Sequence, residues 1–212
     1  MNEVLEKIQQ VGIVPVVVLK DAKDASPLAK ALCDGGLSCA EITFRTEAAE
    51  ESIRIMAKEF PQMILGAGTI VNIEQAKKAI GAGAKFIVSP GFQERIVEYC
   101  LEKKVLVFPG CVTPTEVLQA VKYGLEVVKF FPAEPFGGVE TIKALAAPYG
   151  NMKFMPTGGI TTKNLETYLR FPKIVACGGS WMVQKDLIEA RDFETIKKLT
   201  SEAVELVRRS RS

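Results

Sequence analysis

Short β-prone runs recur along this chain at near-even intervals, and an amphipathic stretch of helical period separates each from the next. That alternation constrains the fold more than any other feature, because parallel strands need a crossover between them and a helix supplies it. Strands are expected at Gly12 to Leu19, Cys39 to Phe44, Met63 to Thr69, Phe86 to Ser89, Val105 to Pro109, Val127 to Phe131, Phe154 to Thr157 and Ile174 to Cys177. Helices are expected at Ala22 to Asp34, Ala48 to Glu59, Ile73 to Ala82, Gln93 to Lys103, Thr115 to Tyr123, Val139 to Ala146, Thr162 to Leu169 and Asp192 to Arg208. One more helix precedes the first strand. Pro114-Thr115-Glu116 and Thr161-Thr162-Lys163-Asn164 look like helix starts, and Gly35-Gly36, Gly81 and Gly124 like helix ends.

Eight βα units in 212 residues match a TIM (β/α)8 barrel with an extra N-terminal helix, forming one domain over residues 1–212. An open doubly wound sheet usually has fewer strands and a dinucleotide fingerprint, and no G-x-G-x-x-G follows the first strand.

Composition then narrows the chemistry. With 0 His there is no imidazole general base, no Ser-His or Cys-His couple and no imidazole metal ligand, so no metal site is expected. Five cysteines, odd in number and without a CxxC pair, read as free thiols. Cys111, after Pro109-Gly110, is a poor nucleophile candidate without a histidine to activate it. A net charge of +2 gives no footprint for nucleic acid or membrane partners. The longest apolar run, Ile13 to Leu19, falls short of the roughly 20 residues that span a bilayer, and Met1 to Lys7 carries acids where a signal peptide needs cations. A cytoplasmic location is expected. The tail Arg208 to Ser212 reads as a frayed, solvated end.

In such a barrel the active site lies at the carboxyl ends of the strands. Lys129 stands in the apolar run Val127-Val128-Lys129-Phe130-Phe131, which Pro132 closes. Taking an ammonium out of water disfavours its charged form and turns an inert cation into an amine that attacks carbonyls. Strand alternation places Val127, Lys129 and Phe131 inward on that strand, and Glu41, Thr43 and Arg45 inward on the second. The competing reading is a buried Glu41–Lys129 ion pair that only fixes packing. Gly66 and Gly68, beside Thr69, leave room for a ligand. Ser89-Pro90-Gly91 and Phe108-Pro109-Gly110 can be simple turns, although Pro90, with Phe131, is expected at the pocket. Thr157-Gly158-Gly159 and Gly178-Gly179-Ser180 follow strands seven and eight, where barrels often bind phosphate through backbone N–H groups, so the ligand is expected to be an anionic phosphoester.

The motifs Glu41-Ile42-Thr43-Phe44-Arg45-Thr46, Gly66-Ala67-Gly68-Thr69, Lys129-Phe130-Phe131-Pro132-Ala133-Glu134, Pro156-Thr157-Gly158-Gly159-Ile160 and Gly178-Gly179-Ser180-Trp181 resemble the bacterial KDPG aldolases, in unbroken order from about Val14 to Trp181. That resemblance implies a metal-independent class I aldolase. Its reaction cleaves 2-keto-3-deoxy-6-phosphogluconate to pyruvate and glyceraldehyde 3-phosphate, and often 4-hydroxy-2-oxoglutarate to pyruvate and glyoxylate. It further implies Lys129 as imine-forming lysine and Glu41 as acid/base, Arg45 and Thr69 on the substrate carboxylate, and Thr157, Gly158, Gly159, Gly179 and Ser180 on the phosphate. It also implies a homotrimer without cofactor. The galactonate epimer as substrate, and a non-catalytic phosphosugar-binding barrel, stay open as alternatives.

Overall fold

The computed structural model describes residues 2–211. Helix α1 (Glu3–Val11) begins where the Asn2 side chain accepts the Val4 N–H at 2.9 Å, and ends at Gly12, whose φ of 67° a residue without Cβ adopts freely. The chain then enters β1 (Ile13–Val17). Seven more strands follow: β2 (Cys39–Thr43), β3 (Ile64–Gly68), β4 (Phe86–Val88), β5 (Leu106–Phe108), β6 (Val127–Phe130), β7 (Lys153–Pro156) and β8 (Cys177–Gly179). Between them run α2 (Ala25–Asp34), α3 (Ala49–Glu59), α4 (Ile73–Ala82), α5 (Glu94–Glu102), α6 (Pro114–Lys122), α7 (Gly138–Ala146) and α8 (Leu165–Leu169). After β8 come α9 (Lys185–Glu189) and α10 (Phe193–Arg211).

The strands are parallel and follow one another around a barrel in chain order, with β8 returning to β1. The hydrogen bonding is not uniform. Six strands form one continuous ladder, β5-β4-β3-β2-β1-β8, and β6-β7 form a second. Only isolated bridges join the two: Gly110 to Lys129 on one side, and Phe154 to Ile174 and Thr157 to Gly178 on the other. The barrel is thus closed by two narrow seams.

Alternation sorts the side chains as the pattern requires. Ile42, Val128 and Phe130 are wholly buried between the strands and the helices, while Phe86 and Phe108, with ring centroids 5.8 Å apart, fill the interior.

Most elements begin or end within a few residues of the sequence expectation, and three departures have a physical reason. The last strand is Cys177–Gly179, not Ile174 to Cys177, and Ile174 makes only an isolated bridge to Phe154. Apolar Ile174, Val175 and Ala176 mimic a strand because they are buried, whereas Gly178 and Gly179 pair with Val14 and Pro15 despite poor strand propensity. The helix expected at Thr162 begins at Leu165. The tail is not frayed: α10 runs to Arg211, whose guanidinium donates to the Gln9 carbonyl and, at 2.8 Å, to that of Val175. Ser212 and Met1 lie outside the described residues. A 3-10 turn, Glu134–Phe136, and α9 have no counterpart in the sequence reading. Among the described residues no helix is long and apolar enough to cross a membrane.

Candidate active site

Strands β2 and β6 bring Glu41 and Lys129 together inside the barrel. The Lys129 side chain is 7% exposed and that of Glu41 0%, and Nζ stands 3.7 Å from Oε1. This separation allows charge attraction but exceeds hydrogen-bond reach. Among the described residues neither Glu41 carboxylate oxygen has a hydrogen-bond partner. A pair kept only for packing would close and satisfy those oxygens, since a buried, unpartnered carboxylate is among the costliest groups a fold can carry. The open spacing favours a working pair over a structural one. Lys129 is held by its main chain, which donates to Pro109 O and accepts from Cys111 N, each at 2.9 Å. Its Nζ lies 5.1 Å from the Phe131 ring centroid.

The glycines of β3 serve this pair, and here the sequence expectation needs correction. A Cβ on Gly66 would overlap the Phe86 ring, and one on Gly68 the Glu41 carboxylate. The missing side chains make room for Phe86 and Glu41, not for a ligand. Thr43, expected in the mouth, donates instead to Val17 O at 2.8 Å. Arg45 does reach the mouth, and its Nε donates to Thr69 Oγ1 at 3.1 Å. Thr69 has φ of 56°, a strained value for a β-branched residue and a kind of strain that gathers at functional sites.

A cavity of ≈ 800 Å³ is lined by Arg45, Phe131, Thr157, Gly158, Gly159, Gly178, Gly179 and Ser180, among others. All five expected phosphate residues therefore share one wall. Gly158 (φ 99°) and Gly159 (φ 82°) need glycine for their backbone. Gly178 and Gly179 need it for space, since a Cβ would strike Thr157 or Trp181. The hydroxyl of Thr157 and the indole N–H of Trp181 are buried without hydrogen-bond partners among the described residues. Ile160, Gln184 and Lys185 also line the cavity, and the last two were missed because α9 is too short to give a periodic signal. Pro90 does not line it: this residue is exposed, with its carbonyl packed toward Gly110. Lys129, Glu41 and Thr69 are not among the residues that line the cavity.

All five cysteines are free. Burial pushes the Cys111 thiol up to about 12, which leaves it inert at neutral pH. Among the described residues no three His, Cys, Asp or Glu side chains gather as a metal site.

The model of the KDPG and KHG aldolase family matches residues 4–199. The chain is 45% identical to the 2-dehydro-3-deoxy-phosphogluconate aldolase of Treponema pallidum over 98% of its own length and 99% of that protein's. It is 44% identical to the KHG/KDPG aldolase of Escherichia coli over 91% of each. Among solved structures it resembles the KDPG aldolase of Legionella pneumophila, which holds pyruvate captured as a covalent carbinolamine (TM-score 0.91, 33% identity, 95% of this chain and 98% of that one). It also resembles the aldolase of Zymomonas mobilis with 3-phosphoglycerate (TM-score 0.88, 37% identity, 94% of each).

Proposed function

The chain belongs to the KDPG and KHG aldolase family, and on that premise we propose that it cleaves 2-keto-3-deoxy-6-phosphogluconate, and 4-hydroxy-2-oxoglutarate as a second substrate, through an imine on Lys129. The observation that carries this reading is the dry amine held 3.7 Å from a carboxylate that has no hydrogen-bond partner among the described residues. The covalent pyruvate adduct in the Legionella pneumophila relative supports the same chemistry.

Lys129 passes its ammonium proton to Glu41, the neutral Nζ adds to the C2 carbonyl carbon, and a proton moves from that nitrogen to the C2 oxygen to give a carbinolamine. Glu41 returns a proton to that hydroxyl, water leaves, and the protonated imine becomes an electron sink. The Glu41 carboxylate then removes the C4 hydroxyl proton. As the C4 aldehyde forms, the C3–C4 bond breaks and its electron pair moves through C2 to nitrogen, leaving an enamine. Glu41 delivers its proton to C3, and hydrolysis of the imine releases pyruvate and the free amine. Arg45, oriented by Thr69, holds the substrate carboxylate. Backbone N–H groups of the two glycine loops, with the Ser180 hydroxyl, hold the phosphate. The 3-phosphoglycerate in the Zymomonas mobilis relative supports a phosphoester in this mouth. The enzyme works as a homotrimer in the cytoplasm, a reading that the exposed Leu118 and Val121 on α6 support as material for a subunit contact.

Incubation with pyruvate and borohydride tests the proposal. The adduct mass is expected on the peptide containing Lys129 and nowhere in Lys129→Ala. An unchanged wild-type mass, or an adduct on another lysine, refutes it.

A further inference from the structure

The loop that lines the phosphate wall is fixed from behind by three consecutive carbonyl contacts. Thr157 O accepts from Ala133 N at 2.8 Å, Gly158 O from Glu134 N at 3.1 Å, and Gly159 O from Asn164 Nδ2 at 3.0 Å. In a trans peptide the N–H points away from the C=O of the same plane. Tying these carbonyls back therefore turns the N–H groups of Gly158, Gly159 and Ile160 the opposite way, and all three residues line the cavity. Among the described residues none of the three N–H groups has a protein acceptor.

Two of these ties come from main chain. The third is a side chain, and it gives up another use. Asn164 occupies the N-cap position of α8, where asparagine normally accepts an N–H of its own helix, yet it makes no capping bond. Its Oδ1 instead accepts the Thr161 N–H at 2.8 Å while Nδ2 reaches Gly159. Behind the same loop, Tyr168 of α8 is 1% exposed and donates its hydroxyl to Glu134, whose Cγ would stand 2.5 Å from a Cβ on Gly159.

We infer that Asn164 is a positioning residue for the phosphate of the substrate, with Tyr168 and Glu134 as its support: together they set the glycine loop in the conformation that presents three N–H groups to an anion. This rests on the phosphate reading of the loop given above. Loosening the loop weakens binding of the phosphorylated end without touching the imine chemistry.

The test is Asn164→Ser, which restores a helix-capping side chain but is too short to hold Gly159, with Tyr168→Phe as a second variant that keeps the buried ring. Both are expected to raise KM for 2-keto-3-deoxy-6-phosphogluconate, Asn164→Ser about ten-fold, the equivalent of one weakened charge-assisted bond. kcat is expected to hold, as is kcat/KM for the unphosphorylated 4-hydroxy-2-oxoglutarate. Competitive inhibition by inorganic phosphate weakens in parallel. If the wild type favours the phosphorylated substrate and neither variant moves that preference, the positioning role is wrong while the phosphate reading stands. Equal loss on both substrates also overturns it. If wild type cleaves the two substrates equally and ignores inorganic phosphate, both readings fall.

Discussion

Replacing Gly68 by alanine isolates the position of the Glu41 carboxylate from its chemistry. A Cβ there would overlap Glu41 Oε1 outright and stand 2.6 Å from Cδ and 2.7 Å from Cγ, against about 3.5 Å for carbon atoms in contact. Strand β3 cannot slide to relieve the overlap, because its register with β2 runs unbroken from Ile64 to Gly68. The carboxylate must retreat by about 1 Å, and a displacement of that size at a reacting group costs about 100-fold in rate. Overpacking a filled interior also costs about 1–3 kcal/mol of stability. Pyruvate release, coupled to lactate dehydrogenase, should therefore fall about 100-fold in kcat/KM while the variant remains folded at 25 °C. Gly66→Ala is the control, since its Cβ strikes the Phe86 ring rather than the carboxylate. It should lose comparable stability with little change in turnover per folded molecule. Wild-type rates in Gly68→Ala, or an equal rate loss in Gly66→Ala, would show that the placement of Glu41 does not set the rate.

Two further outcomes are expected. Glu41→Gln should slow turnover by about 100-fold to 10,000-fold, the range for loss of one proton-transfer group, while still accumulating some borohydride-trapped adduct at Lys129. A complete absence of adduct would assign Glu41 a part in amine addition that water cannot replace. Stability should also fall at alkaline pH. Burial pushes the thiols of Cys39, Cys100 and Cys111 from 9.0 up to about 12. Above the unfolded value the unfolded chain binds fewer protons than the native one, so this contribution is intact below about pH 9 and is lost as pH climbs toward about 12. Each thiol removes about 1.4 kcal/mol per pH unit in that window. Urea midpoints should stay flat to pH 9 and then drop, with a shallower slope in Cys39→Val; a slope that this variant leaves unchanged would argue against the assignment.

The barrel was legible because its strands and helices obey two clear periods, and the Glu41–Lys129 pairing because alternation leaves each no place but the interior. What escaped is instructive. Gly178 and Gly179 belong to a strand that propensity rejects, since the reason for them is the volume of Thr157 and Trp181, residues at the end of the neighbouring strand or beside them in the chain. Gly66 and Gly68 were legible as vacancies, but only the fold says that Phe86 and Glu41 fill them. Asn164 reads from sequence as a helix start, and the turn of its side chain toward Gly159 depends on a loop that local rules do not see. Arg211 looks like a solvated terminus until Val175 and Gln9 are brought beneath it.

The two narrow seams divide the barrel into a six-stranded arc and a two-stranded plank. The amine and the loop from Thr157 to Gly159 ride on the plank, locked in register from Val127 opposite Lys153 to Phe130 opposite Pro156. The carboxylate and the guanidinium of Arg45 belong to the arc. The gap between Lys129 and Glu41 therefore spans a seam, whereas the path from Lys129 to the Thr157–Gly159 loop stays within one paired ladder.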